Sequence, residues 1–358
     1  MLFLLLAISA LSLAPTCGKR KPPLPPIERI PQRTELLSGV QRGNQVILSW
    51  PAPRRNAPSS SVQSIRRIDV YRVAEKPNAP PLTEEEFAAR ATLVGSVTYE
   101  EIRKGGENLT YTDTLELAGQ AARLRYAIRY VNAAGERAAF SNFLTIEPAA
   151  KVAEPPTLLK TGKEVSESFI TLTWEAPKAN IDGSTPVNLL GYNLYRVTAS
   201  QKEIGQTPIN QSLIPGTQYQ DKNFKFGERY VYVVRAVSLG TEGGQVESLN
   251  SNSIELAPLD IFPPSKPGQV SIAPGPGKLS LFWPANPEAD LAGYIIYRST
   301  DPNLPRKKWT GLTPTLYTRT TFTDENVEVG KTYYYYIIAV DNAGNQSPPS
   351  DVVSETVP

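Results

Sequence analysis

The chain has 358 residues, room for two or three domains with separate cores, and 33 of them are proline, near twice the usual share of about 5%, which argues against a helix-rich or parallel-sheet enzyme. Histidine is absent and cysteine occurs once, which excludes imidazole-based nucleophile and metal sites, intrachain disulfides, zinc ribbons and iron–sulfur clusters. Lysine and arginine number 37 against 35 acidic residues, so the net charge of +2 lacks the basic excess of a nucleic-acid binder, and neither a nucleic-acid partner nor a cofactor is expected.

Residues 1–14 are uncharged and apolar. At about 1.5 Å per residue they cover about 21 Å, too little for a hydrocarbon core of about 30 Å but right for a signal-peptide core. The run closes on Leu13-Ala14-Pro15-Thr16-Cys17-Gly18, which puts the single cysteine at its end. This resembles a bacterial lipoprotein signal, here residues 1–16. The resemblance implies that Cys17 becomes the acylated first residue of the mature chain and that a lipid anchor holds the protein to a membrane. Ala14 and Thr16 depart from the Leu and the Gly or Ala usual in that family, and no basic residues precede the apolar run. An ordinary signal cleaved after Ser12-Leu13-Ala14 would leave Pro15 first, which the cleaving protease disfavours. Gly18 rather than Asp beside the cysteine implies the outer membrane of a two-membrane envelope.

Residues 17–30 read as a stalk, with Pro22, Pro23, Pro25 and Pro26 followed by Pro31. Such a segment favours polyproline II, and 14 steps of about 3.1 Å reach at most about 43 Å. Lys19, Arg20 and Lys21 lie beside the expected anchor, where each adds about 1 kcal/mol of attraction to anionic headgroups.

Beyond the stalk the chain repeats itself at a period near 110 residues. Val46-Ile47-Leu48-Ser49-Trp50, Ile170-Thr171-Leu172-Thr173-Trp174 and Leu279-Ser280-Leu281-Phe282-Trp283 alternate apolar and polar residues up to a tryptophan, the pattern of a half-buried strand. Each is followed by a second strand pattern ending Tyr71-Arg72, Tyr195-Arg196 and Tyr297-Arg298. Next come Tyr111-Thr112-Asp113, Tyr219-Gln220-Asp221 and Phe322-Thr323-Asp324, then tyrosine-rich runs at 124–131, 230–237 and 333–340. Four shared segments in one order, three times over, mark a tandem repeat.

The constellation resembles the fibronectin type III domain, with Trp on the second strand, Tyr-x-apolar on the third, and Tyr-x-aromatic-x-aliphatic-x-Ala on the sixth. Tyr230, Tyr232, Val234 and Ala236 fit the last pattern, as do Tyr333, Tyr335, Ile337 and Ala339. In the first repeat Leu124 stands at the first of these positions, which removes the corner tyrosine hydrogen bond. The resemblance implies an all-β fold of three antiparallel immunoglobulin-like sandwiches, at residues 31–148, 155–258 and 264–358, with Trp50, Trp174 and Trp283 in their cores. Proline-rich boundaries predict separate folding units on an extended rod.

The first repeat carries an insertion. Tyr71 and Tyr111 lie 40 residues apart, against 24 and 25 in the other two, and the extra length includes Thr83-Glu84-Glu85-Glu86-Phe87. Thr83 and Glu86 have capping-box spacing and predict a short helix, whose three glutamates complement the dipole or form an acidic docking element. Asp341, Asn342 and Asn345 offer oxygen ligands for calcium without a spaced bidentate glutamate, so a hairpin turn is the expectation and no metal site is assigned. Asp113, Asp221 and Asp324 recur at equivalent positions, which favours a structural role over catalysis.

Strand parity locates a candidate binding face. The family pattern points Tyr294, Ile296, Tyr333, Tyr335, Ile337 and Ala339 inward, so Ile295, Tyr297, Tyr334, Tyr336 and Ile338 face outward as one tyrosine-rich patch, extended by Trp309. A strand bulge reversing the parity, or an edge strand covering the patch, would remove it. The expected function is that of a lipid-anchored binding or spacer protein of the cell envelope, presenting its repeats to a protein or glycan. A structural component of an envelope complex and an accessory to a carbohydrate-active enzyme are the alternatives.

Overall fold

A computed structural model describes residues 33–52, 65–98, 100–101, 106–116, 122–159, 164–201 and 204–358. Cys17 and the proline-rich segment lie outside the described residues. The first repeat contains β1 (Ser38–Arg42), β2 (Gln45–Pro51), β3 (Ile65–Glu75), α1 (Glu84–Arg90), β4 (Thr92–Thr98), β5 (Asn108–Thr114), β6 (Arg123–Asn132) and β7 (Leu144–Ile146). The second contains β8 (Thr157–Leu158), β9 (Glu164–Val165), β10 (Ile170–Glu175), β11 (Gly191–Thr198), β12 (Gln218–Asp221), β13 (Tyr230–Leu239), β14 (Gln245–Glu247) and β15 (Ile254–Leu256). The third contains β16 (Ser271–Gly275), β17 (Lys278–Phe282), β18 (Leu291–Ser299), β19 (Thr310–Gly311), β20 (Thr321–Asp324), β21 (Thr332–Asp341) and β22 (Val353–Thr356).

The chain forms two compact units, one of Met1–Pro155, Pro177–Gly191 and Ala236–Leu249, the other of Pro156–Ala176, Tyr192–Arg235 and Asn250–Pro358. The second repeat therefore supplies segments to both. In the first unit, β1, β2 and β5 make one antiparallel sheet and β4, β3, β6 and β7 the other. The alternation along β2 buries Val46, Leu48 and Trp50 against Ile68, Val70, Tyr126 and Ile128 from the facing sheet.

The same unit holds a firm junction. Val152 and Ala153 are buried; the Ile181 N–H donates to the Val152 carbonyl at 2.8 Å and the Ala153 N–H to the Ser238 hydroxyl at 2.9 Å. The Asn188 amide donates to the carbonyls of Lys151 and Leu239, both at 2.7 Å. Residues Val237 to Leu239 of β13 pair with β14, and Glu247 of β14 in turn meets Arg42 of β1 in parallel, with the Gly43 N–H donating to the Glu247 carbonyl at 2.7 Å. Gly43 has φ +54°, and a Cβ there would stand 2.9 Å from the Leu249 side chain, so both conformation and space call for glycine.

In the second unit, β10 pairs with β8, β9 and β12, and the start of β13 pairs with β15. Trp174 packs edge-on against Tyr192 at 5.3 Å, as Trp283 does against Tyr294 in the third repeat. That repeat stacks β16, β17 and β20 over β19, β18, β21 and β22, enclosing Leu279, Leu281, Trp283, Tyr294, Ile296, Tyr335 and Ile337. A bulge between Leu291 and Gly293 precedes Tyr294, so the inward parity from Tyr294 onward is the one expected.

Candidate functional site

Each repeat carries the same polar tether between its sheets. The Asp113 carboxylate accepts from the Arg72 guanidinium at 2.6 Å and the Tyr126 hydroxyl at 2.7 Å. Asp221 accepts from Arg196 at 2.6 Å and Tyr232 at 2.8 Å, and Asp324 from Arg298 at 2.8 Å and Tyr335 at 2.9 Å. In every case one sheet supplies the aspartate at a strand end and the other supplies the arginine and tyrosine. Burial pushes the three phenols well above their ordinary range, and the adjoining carboxylates push the same way. All three aspartates are buried and committed to these bonds, so the recurrence marks architecture rather than catalysis. The arginine directly after each third-strand tyrosine was the signal in the sequence that could have paired these groups.

Tyr230 accepts from the Lys225 N–H at 2.9 Å and Tyr333 from the Glu328 N–H at 3.0 Å, the corner bond of this fold. Leu124 fills the equivalent position in the first repeat as a buried apolar residue, so that bond is absent there, as the sequence indicates.

The outward face of β18 and β21 holds the residues singled out from parity. Ile295 lies opposite Ile338, Tyr297 opposite Tyr336, and Tyr334 between Ser299 and Ser354. Ile295, Tyr297, Tyr334 and Ile338 are half-buried. Tyr336 and Trp309 correct the expectation of an open patch, being only 4% and 6% exposed. The segment returning to β19 folds over the sheet and covers them. Tyr297 stacks on Tyr336 at 4.8 Å, Trp309 packs on it at 5.1 Å, and the Arg306 guanidinium lies over the same ring at 5.2 Å. The Trp309 indole N–H donates to the Leu304 carbonyl at 2.9 Å and the Tyr336 hydroxyl to the Arg306 carbonyl at 3.2 Å. Trp309 ends a 3-10 turn (Arg306–Lys308) just before β19 instead of extending the face.

The corresponding faces elsewhere are covered differently. In the first repeat the predicted helix is present as α1, with Thr83 and Glu86 making the reciprocal capping bonds. Its Phe87 is fully buried against Phe140 and Phe143, with Val73 and Ala127 beneath, and the Glu84 carboxylate accepts from the Phe140 N–H at 3.1 Å. The acidic first turn thus docks the helix on its own repeat. Beside it, Glu75 is buried and accepts from Arg125 at 2.9 Å and Arg123 at 3.0 Å. Burial alone would raise the Glu75 carboxyl, but its bonds to Arg125 and Arg123 outweigh this and hold it below the usual carboxylate range. In the second repeat the buried Arg235 guanidinium lies 4.0 Å from the Tyr195 ring centre and donates to Asn250 at 2.6 Å.

Asp260, Asp290 and Asp341 bring carboxylate oxygens within 4.8 Å of one another. Asp341 is buried and accepts from both the Asn345 N–H at 2.8 Å and its side-chain amide at 2.9 Å, the hairpin turn expected for that segment. Sequence spacing could not reveal the convergence of Asp260 and Asp290, because the three residues come from separate parts of the chain.

Antiparallel sandwiches built on a second-strand tryptophan, a corner tyrosine and no cystine define an immunoglobulin-like fold of the fibronectin type III kind. No protein-family model matches the chain. It is 26% identical over 331 residues to exoglucanase B of Cellulomonas fimi, covering 90% of this chain and 25% of that protein. It is also 39% identical over 92 residues to an amylopullulanase of Thermoanaerobacterium saccharolyticum, covering 25% of this chain and 7% of that enzyme. The chain thus spans a quarter or less of the length of these curated relatives. Among solved structures, the FN1–FN3 domains of chicken CNTN1 share 16% identity at a TM-score of 0.27, covering 91% of this chain and 99% of theirs. An Fn3-like protein from Clostridium thermocellum shares 29% identity at a TM-score of 0.24, covering 27% of this chain and 96% of its own.

Proposed function

We propose that the protein is a lipid-anchored spacer and binding protein of the bacterial cell envelope, presenting fibronectin type III-like repeats to a protein or glycan partner from an anchor at Cys17, at the outer membrane. The observation that carries this reading is that the described residues form sandwich repeats whose recurrent aspartates, arginines and tyrosines are spent on holding the sheets together. The prolines and the three adjacent cations that follow Cys17 in the sequence suit attachment to a membrane surface.

A second reading is favoured by the similarity to exoglucanase B and the amylopullulanases: the repeats serve as an accessory module beside a carbohydrate-active enzyme. Metabolic labelling with palmitate in a two-membrane host tests the anchor. Label on the wild type and none on Cys17→Ser, with the variant released to the soluble fraction, is the expected result. Equal labelling and equal solubility overturn the anchor.

A further inference from the structure

The 3-10 turn (Arg306–Lys308) carries three successive cations, all exposed and none in an ion pair among the described residues. The turn is held in place. The Lys308 N–H donates to the Pro305 carbonyl at 2.8 Å and the Trp309 N–H to the Arg306 carbonyl at 3.1 Å, while Trp309 and Tyr336 form a buried pedestal beneath. The only acid in the same loop, Asp301, spends its carboxylate on the Asn303 N–H at 2.9 Å. Tyr297 and Tyr334 remain half-buried on the same face, one stacked on the pedestal and the other opposite Ser299 at the foot of the loop.

Successive side chains on a 3-10 turn diverge by about 120°, so the three cations fan apart and do not converge on one phosphate. Such an array suits a chain carrying spaced negative charges, and aromatic rings beside it suit the apolar faces of sugars. The absence of any exposed apolar wedge in the turn points away from a bilayer, and single-stranded DNA, a polyanion of the same charge, enters the test below as a competing outcome. We propose that this turn, together with Tyr297 and Tyr334, is a docking surface for an acidic polysaccharide, whose carboxylates meet Lys307 and Lys308 while a sugar ring lies against tyrosine. The proposal names the chemistry of the partner in the presentation role above and rests on that reading for the partner's whereabouts; binding itself does not require the anchor.

The test is affinity electrophoresis of the full chain in neutral detergent, in gels containing polygalacturonate, hydroxyethylcellulose or no polymer. Polygalacturonate is expected to retard the wild type relative to the blank gel, and hydroxyethylcellulose is not. Lys307→Gln with Lys308→Gln should weaken the retardation about tenfold at unchanged melting temperature, and added salt should weaken it further. Tyr334→Ser should weaken it to a smaller degree. Retardation equal in wild type and double variant, or equal in both polymers, overturns the proposal. So does lysine-dependent binding to phosphatidylglycerol vesicles or single-stranded DNA without binding to polygalacturonate. Because the labelling of Cys17 is read separately, loss of one result leaves the other standing.

Discussion

In the first repeat the outward face of β3 and β6 lies under α1, which brings its own phenylalanine and seals a second small apolar core; in the third, the matching face of β18 and β21 is met by a short segment whose Trp309 and 3-10 turn pack on Tyr336. The second repeat places a buried arginine against Tyr195. A sheet face that parity marks as outward is therefore not an open face, and what closes it differs from repeat to repeat: a helix in the first, a buried arginine on a tyrosine in the second, a short turn in the third. The sixteen or so extra residues of the first repeat supply that helix, and in the third repeat Tyr297 and Tyr334 stay half-buried beside three cations that make no ion pair among the described residues.

Substitutions break the two covers to different extents. Phe87→Ala should cost about 3–5 kcal/mol by emptying the space between Phe140 and Phe143, and should speed tryptic cleavage at Arg90 as α1 detaches. Tyr336→Ala, which removes the ring shared by Tyr297, Trp309 and Arg306, should cost about 3 kcal/mol in denaturant unfolding and raise Trp309 exposure to quenchers. An unchanged stability would mean that the turn is not seated on the sheet.

Glu75→Gln leaves two poorly exposed guanidinium groups without their carboxylate and should cost about 3 kcal/mol at neutral pH. Since the folded Glu75 carboxyl is held below its unfolded value, its contribution is present above the unfolded value near 4.3 and is lost as pH falls through the folded one. The variant should therefore show a flatter loss of stability on acidification than the wild type, and parallel curves would sink this assignment. Thr83→Ala should cost about 1 kcal/mol through loss of the cap on α1. Smallest of all, Tyr334→Ser, at a half-buried position of β21 flanked by Ser299 and Ser354, should cost less than about 1 kcal/mol.

The strand pattern, the tryptophan cores, the capped helix and the missing corner bond at Leu124 were all legible in the sequence, because each depends on local alternation or on short fixed spacing. The fate of the outward face was not. Parity settles the side on which Tyr336 lies, but burial depends on where a loop of irregular backbone comes to rest, and no period encodes that. The link from Gly43 to Glu247 and the meeting of Asp260, Asp290 and Asp341 were hidden for the same reason, being contacts between residues far apart in the chain. The aspartate tether was half visible: its members recur, but only the folded register shows that they touch.

That tether has a consequence for where the protein can work. Many sandwiches of similar architecture lock their two sheets with a cystine, which must be formed by an oxidant and is lost to a reductant. Here an aspartate, an arginine and a tyrosine tie the two sheets together, three times along the chain, with no sulfur involved. The folded repeats are thereby indifferent to the reduction potential of their surroundings: they need no thiol oxidase to mature, and thiol reductants have nothing in them to cut.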